Sequence, residues 1–238
     1  MTTIAKKYGA ESYADVVFGI ETTNEPIVWD QNSLSIMQQW ASAAYQAVNG
    51  AATNTDLRVY MHDAFLGPAY WVSPSQTVNG NTPLANAPFV IDTHLYQNQE
   101  AADATLNQTQ HIAKACDWST TALLPSSPNL PVIVGEFSAL TNICANPDGS
   151  TVAGSTCYVN GCQCSTEVDI QYWDAPLLNA TRMFLEAELD TFEAHATGWF
   201  MWSYKGPSGW SMVNAFKYGL MGPNKVTDRL YPNQCAGY

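Results

Sequence analysis

Residues 15–26 read DVVFGIETTNEP, in which an apolar run over 15–21 is followed by a polar turn. The run is rich in β-branched residues and apolar on both faces, which is typical of a strand buried in a parallel sheet. Beyond the turn, Asn32 and Ser33 offer a helix cap, and apolar residues recur at spacings of three and four as far as Val48. A buried strand followed by an amphipathic helix is the repeating unit of α/β proteins.

Four further apolar runs continue this alternation. They lie at 57–62 (LRVYMH), 89–94 (FVIDTH), 131–136 (PVIVGE) and 198–202 (GWFMW). Helical patterns occupy the intervals, most clearly at 180–194, and residues 4–14 predict a helix ahead of the first strand. An insertion rich in Cys, Gly and Asn spans 142–170. The pattern predicts a (β/α) barrel or a doubly wound sheet.

The number of strands bears on the barrel. A closed barrel needs eight βα units in about 250 residues, whereas five strands are found in 238 residues. Because the sequence opens within a βα unit, we expect a chain that lacks the first strands of a barrel. No Gly-rich phosphate loop follows any strand, which disfavours nucleotide binding.

Composition narrows the class of ligand. The net charge is -12 and the few basic residues are scattered, which argues against nucleic acid. Aromatic residues make up 12% of the chain, which suits neutral polar ligands that stack on rings. No apolar run reaches the length of a membrane span, and the first ten residues do not form a secretory signal. Six cysteines and the sequons at Asn107 and Asn179 nevertheless indicate an extracellular protein.

Polar residues collect where the predicted strands end, and the carboxyl ends of parallel strands carry the site in such folds. Glu25 and Glu136 end the first and fourth runs, and paired carboxylates are the apparatus of glycoside hydrolysis. Either residue alone could simply cap a helix or bind a loop amide. Glu21 is the nearest competitor, but its position within the strand favours a structural hydrogen bond.

Several motifs together resemble the fungal exo-1,3-beta-glucanases of glycoside hydrolase family five. The resemblance covers nearly the whole chain, and the motifs occur in the family's order. They are 19–26 (GIETTNEP), 62–65 (HDAF), 94–97 (HLYQ), 134–138 (VGEFS), 202–205 (WSYK) and the tail with 227–229 (TDR) and 232–235 (PNQC).

The resemblance implies a retaining hydrolase on a (β/α)8 barrel, of which this chain would be the C-terminal five βα units, an incomplete barrel without the first three strands. Residues 1–238 would then be one catalytic domain. Glu25 corresponds to the acid/base and Glu136 to the nucleophile. The implied substrate is 1,3-beta-glucan, from which glucose is released, and no cofactor or metal is implied.

The same resemblance assigns binding residues. Asn24 would hold the sugar 2-hydroxyl, His94 a neighbouring hydroxyl, Tyr96 the nucleophile, and Trp202 the floor of the glucose site. A tryptophan beside Phe200 could equally lie in the core. The remaining candidates for sugar contacts are His62 and Asp63, which could instead form a local hydrogen bond, and Trp210 on a Gly-Pro loop.

The cysteines allow two interpretations. The family pattern pairs Cys116 with Cys235 and Cys144 with Cys162, which leaves Cys157 with Cys164. A metal module is the alternative, because Cys157, Cys162 and Cys164 are close in sequence. Zinc usually requires paired C-x2-C spacings in a reducing compartment, so disulfides are preferred.

This chain departs from the family in two ways. The family has an aromatic clamp for the acceptor sugar after its His-X-Tyr-Gln motif, whereas here Gln97 is followed by no aromatic ring. Without the first strands of the barrel, the edge of the first strand also exposes backbone donors and apolar side chains. We therefore expect self-association through that edge, and reduced activity. A glucan-binding half-barrel with little turnover, or a fragment that folds by itself, is the alternative. The location expected is extracellular or in the cell wall.

Overall fold

The structure is a computed structural model that describes residues 1–123 and 130–238. Helices and strands alternate from the N-terminus as far as residue 136. The strands are β1 (Gly19–Glu21), β2 (Arg58–His62), β3 (Phe89–His94), β4 (Val132–Glu136), β5 (Cys144–Ala145), β6 (Thr151–Val152) and β7 (Gln163–Cys164). The α-helices are α1 (Thr2–Tyr8), α2 (Gln31–Asn49), α3 (Val72–Asn79), α4 (Gln108–Trp118), α5 (Ala175–His195) and α6 (Met212–Lys217).

One sheet contains the strands that carry the candidate residues. Its strand order is β1-β2-β3-β4, and the β1–β2 and β2–β3 pairs are parallel, with Ile20 opposite Val59 and Met61 opposite Ile91. The predicted α/β class with a parallel sheet is confirmed. Within the described residues the sheet is open, in keeping with part of a barrel.

The chain divides into two compact units. The first unit comprises residues 1–94 and 122–133. Two apolar clusters form its core. One joins α1 and α2 to the first two strands and contains Ala5, Ile20, Val48, Leu57 and Val59. The other contains Ala41, Met61, Ala64, Trp71, Phe89, Ile91 and Leu130.

The second unit comprises residues 95–121 and 134–238. Helix α5 supplies much of its buried surface, and α4 packs against it. Phe192 of α5 lies between Phe137 and Trp118, with ring centroids 5.0 and 5.9 Å away. Buried aromatic rings remove large apolar areas from water, so these contacts stabilise the unit strongly.

Two predicted strands are shorter in the structure. The first begins at Gly19 instead of Asp15, because the Val17 amide donates to the Tyr13 carbonyl and closes a helical turn. The last is reduced to a parallel bridge between Val134 and Trp199. Backbone bonds from Phe200 to Val134 and from Trp202 to Phe137 continue its alignment beside β4.

Helix starts also differ from those predicted. Helix α2 begins at Gln31, because the side chain of Asp30 accepts the Ser33 amide and Ser33 Oγ accepts the Asp30 amide, which forms a capping box. Ser33 is therefore the third residue of the helix. The helix predicted over 180–194 begins earlier, at Ala175, after an Asp174 cap.

Three disulfides are formed, and one pairing agrees with the predicted connectivity. Cys116 is bonded to Cys235 as expected. The predicted pairs Cys144–Cys162 and Cys157–Cys164 are wrong, because the bonds are Cys144–Cys164 and Cys157–Cys162. The register of the small antiparallel sheet explains the difference, since β5 and β7 place Cys144 directly opposite Cys164.

Among the helices of the described residues, none combines the length and the apolar character that crossing a bilayer requires.

Candidate active site

Glu25 lies in the turn after β1, next to a buried histidine from the end of β3. Glu25 Oε1 is 2.8 Å from His94 Nδ1, and 36% of the Glu25 side chain is exposed. The other ring nitrogen of His94 is 3.4 Å from Asp92 Oδ2. The ring is therefore held between two carboxyl groups, one buried and one open to solvent. The contact places the Glu25 carboxyl group within hydrogen-bonding distance of an imidazole nitrogen.

The backbone at Glu25 is strained. Its φ is +46°, in the left-handed region that a residue with a Cβ rarely adopts. Such conformations cost about 1–3 kcal/mol and are concentrated at functional sites. The loop after β2 shows the same feature, with φ of +60° at Ala64 and +59° at Phe65. Both loops thus contain strained backbone at residues that come shortly after parallel strands.

His62 and Asp63, at the end of β2 and the start of the loop after it, are both buried. Asp63 Oδ1 accepts the Phe65 amide at 2.9 Å and Oδ2 accepts the Thr93 hydroxyl at 2.8 Å. Burial raises the pKa of Asp63, and these two hydrogen bonds partly offset the rise. The nitrogen His62 Nδ1 is 3.6 Å from Asp63 Oδ1, which is too long for the local hydrogen bond considered above.

The imidazole of His62 carries a buried donor. Its Nδ1 accepts the Ala64 amide at 3.0 Å, so the proton of the neutral ring lies on Nε2. Burial, with the nearby His94 ring at 4.3 Å, lowers the pKa of His62 to about 3. Nε2 is buried and has no hydrogen-bond partner among the described residues.

Glu25, His62 and His94 together are close enough to be considered as metal ligands. Their ligand atoms lie within 4.8 Å of one another. However, a nitrogen that carries a proton has no lone pair for a metal ion, and the Ala64 amide keeps the proton on His62 Nε2. The cluster therefore suits hydrogen bonding to a neutral ligand better than coordination of a cation.

Glu136 ends β4, and Tyr96 from the loop after β3 contacts its carboxylate. The Tyr96 hydroxyl donates to Glu136 Oε2 at 2.7 Å, as expected from the sequence. The Glu136 carbonyl accepts the Leu95 amide at 2.9 Å. The Tyr96 ring lies 5.5 Å from the ring of Trp210. A hydroxyl donor stabilises a carboxylate as an anion, which is the form that a nucleophile needs.

Trp202 follows the bridge beside β4, and its indole ring is exposed to solvent. The Trp202 side chain is 53% exposed and Phe200 is also exposed, so the core interpretation of this tryptophan is wrong. The Trp202 amide donates to the Phe137 carbonyl at 2.9 Å, which fixes the backbone. An exposed indole held on a fixed backbone suits stacking on an apolar face of a ligand.

Two other sequence candidates are exposed. Asn24 is exposed beside Glu25, and Glu21 is exposed at the end of β1. Sequence reasoning missed Asp92 and Thr93, which support His94 and Asp63. Their place in β3 was the available signal, because polar residues inside an apolar strand need partners when they are buried.

No family model matches the chain. Searches of known proteins instead find relatives that are named glucan 1,3-beta-glucosidases. The glucan 1,3-beta-glucosidase I/II of Saccharomyces cerevisiae is 34% identical over 98% of this chain and 52% of the relative. Glucan 1,3-beta-glucosidase 1 of Schizosaccharomyces pombe is 32% identical over 99% of this chain and 54% of the relative. The sporulation-specific glucan 1,3-beta-glucosidase of Saccharomyces cerevisiae is 30% identical over 99% and 53%.

The predicted resemblance to fungal exo-1,3-beta-glucanases is therefore confirmed. The chain spans about half the length of the curated relatives it matches. One solved structure, a mutant in complex with xylotriose, matches 84% of this chain and 55% of its own at 12% identity, with a TM-score of 0.40.

Proposed function

We propose that this chain is the catalytic part of a retaining glycoside hydrolase that releases glucose from 1,3-beta-glucan. Glu25 serves as the acid/base and Glu136 as the nucleophile. The observation that carries the proposal is that each carboxyl group has the partner its role requires. Glu25 Oε1 lies 2.8 Å from His94 Nδ1, and Glu136 receives a hydroxyl hydrogen bond from Tyr96. The curated relatives, named glucan 1,3-beta-glucosidases, support the substrate.

The proposed mechanism has two steps. In the first, Glu136 attacks the anomeric carbon while Glu25 protonates the leaving oxygen, which breaks the glycosidic bond and forms a glucosyl ester. In the second, Glu25 takes a proton from water, which attacks the same carbon and releases Glu136. Such a double displacement requires the two carboxyl groups to be about 5–5.5 Å apart. Glu25 thus ends the second step with the proton that it lost in the first, and the contact with His94 Nδ1 holds its carboxyl group in place throughout.

The proposed sugar contacts follow the exposed polar and aromatic groups. Asn24 would bind the 2-hydroxyl, and Trp202 would stack on the apolar face of the glucose ring. Trp210 would line the site beside Tyr96. Of the buried pair, His62 Nε2 would donate to a sugar hydroxyl near His94, and Asp63 holds the loop that follows β2.

Anomeric NMR of glucose released from laminarin tests the reaction. We expect β-glucose first, because two inversions retain the configuration. Release of α-glucose first would contradict retention. Binding of the glucan without release of sugar would instead identify a glucan-binding half-barrel.

Single substitutions test the two roles. Glu136→Gln should abolish turnover on every substrate, whereas Glu25→Gln should slow substrates with poor leaving groups most. Glu167→Gln, which makes the same change at an exposed glutamate of the insertion, is the matched control. Added azide should restore turnover of an activated glucoside by Glu25→Ala, with β-glucosyl azide as product. Equal and mild losses in both variants would show that the roles are misassigned.

The proposal also covers the state and location of the protein. Residues 1–238 are proposed to act as one catalytic domain. Val16 and Phe18, 71% and 73% exposed ahead of the edge strand β1, support self-association through that edge, which light scattering would detect. Three disulfides support an oxidising location, outside the cell or in the cell wall.

A further inference from the structure

A buried amide joins the loop after β3 to helix α4. Gln97 Nε2 donates to the His111 carbonyl at 3.0 Å, and Gln97 Oε1 is 2.8 Å from His111 Nδ1. Both residues are buried. Because the amide nitrogen faces a carbonyl, the amide oxygen must face the ring, and the ring must donate through Nδ1. Burial lowers the pKa of His111 to about 4, so the ring holds one proton at neutral pH.

The backbone of Gln97 is held from a third side. Thr141 Oγ1 donates to the Gln97 carbonyl, and Ser165 Oγ donates to the Thr141 carbonyl. Ser165 follows Cys164, whose disulfide to Cys144 closes the insertion. The loop after β3 is thus anchored to a helix and to a disulfide-bonded insertion, all within the second unit.

Gln97 directly follows Tyr96, which contacts Glu136. On the other side of Tyr96, the Leu95 amide donates to the Glu136 carbonyl. The Tyr96 backbone therefore lies between one residue that is bonded to β4 and one that is clamped to α4. With both neighbours fixed, the hydroxyl has little freedom to leave Glu136 Oε2.

We propose that Gln97, held by His111 and Thr141, is a positioning residue that keeps the Tyr96 hydroxyl on the carboxylate of Glu136. The inference rests on the proposed function, since Glu136 is taken as the nucleophile. Gln97 touches neither substrate nor reacting atoms in this scheme. It acts through Tyr96, and its loss should therefore affect kcat more than KM.

The first test is a double-mutant cycle with Tyr96→Phe. Gln97→Met keeps the length of the side chain and removes its hydrogen bonds. It should lower kcat on an aryl glucoside by about 10- to 100-fold, the cost of small misplacements in an active site, and leave KM within about twofold. In the Tyr96→Phe background the same substitution should cost less than about twofold. Gln76→Met, at an exposed position of α3, is the matched control.

The second test separates positioning from general packing. The amide nitrogen of asparagine can take the place of His111 Nδ1, whereas glutamine extends its amide towards Nε2. His111→Asn should therefore retain kcat within about threefold, and His111→Gln should resemble Gln97→Met. This pair also serves if Gln97→Met does not fold.

A third readout needs no turnover. Hydrogen exchange at the Leu95 amide should be faster in Gln97→Met than in the wild type and unchanged in Gln76→Met. If the wild-type chain releases no glucose, the proposed function fails and the exchange rate alone decides the positioning role. An equal loss of kcat in both Tyr96 backgrounds, a greater loss in His111→Asn than in His111→Gln, or unchanged Leu95 exchange would each overturn the inference.

Discussion

Removal of the disulfide between Cys116 and Cys235 should destabilise the protein more than removal of any shorter link. The bond joins α4 to the C-terminal tail across a sequence separation of 119 residues. The tail also contacts α5, where Glu186 accepts the Leu230 amide and Asp190 accepts the Gln234 amide. The double variant Cys116→Ala/Cys235→Ala keeps these two hydrogen bonds and removes the cross-link.

The magnitude follows from the entropy of the unfolded chain. Closing a loop of 119 residues lowers that entropy enough to contribute about 5 kcal/mol to the free energy of unfolding at 25 °C. The disulfide between Cys157 and Cys162 closes a loop of only 5 residues, for which the same relation gives about 2 kcal/mol. Cys157→Ala/Cys162→Ala is therefore a matched control with the same chemical change.

Urea unfolding followed by tryptophan fluorescence measures the difference. Trp118, two residues from Cys116, stacks on Phe192 and reports on this unit. With a urea dependence of about 2 kcal/mol per molar, the midpoint should fall by about 2.5 M in the first variant and about 1 M in the control. Equal losses in the two variants, or a larger loss in the control, would refute the loop-length argument.

Three further results are expected. Glu188 is buried without a hydrogen-bond partner for its carboxyl oxygens among the described residues, and burial raises its pKa well above 4.5. The folded state thus keeps a proton that the unfolded chain releases, so the free energy of unfolding falls as pH rises above 4.5. In urea titrations, Glu188→Gln should remove up to about 1.4 kcal/mol per pH unit of this fall. Burial lowers the pKa of His111 from 6.5 to about 4, so stability should be lost as pH falls through that window, and His111→Asn should flatten the loss; an unchanged slope would contradict the assignment. Glucose release should be fastest on the acidic side of neutral, because Glu136 must be ionised while Glu25 is protonated, and a rate that still rises above about pH 7 would exclude that pair.

Local sequence pattern predicted the strands best where both faces are covered. The run 89–94 is fully buried and matches β3 residue for residue. The run 15–21 has the same apolar character, yet only Gly19–Glu21 forms a strand. Val16 and Phe18 are exposed, which the pattern does not reveal. An apolar sequence indicates that burial would be favourable, but it does not show whether another strand or helix is there to cover the side chains.

Some contacts of the candidate site and its surroundings could also be predicted from the sequence, and others could not. The Tyr96 contact with Glu136 was predictable, because the roles of both residues came from a motif at a strand end. The disulfides of the insertion were not, since two-residue strands carry no readable register. The clamp on Gln97 was also hidden, because His111 and Thr141 lie 14 and 44 residues away along the chain and their polar side chains form no motif.

If Glu25 is the acid/base, as proposed, its left-handed backbone makes the best residue for stability at position 25 different from the best residue for catalysis. A glycine there would relax a φ of +46° and asparagine would accept it more readily than glutamate, yet neither supplies a carboxyl group. Selection of random variants for heat resistance alone should therefore enrich replacements at this position that are more stable and, under the proposed mechanism, inactive. Libraries for a hardier protein should keep position 25 fixed, and improvement should be sought at sites where the backbone has no such preference.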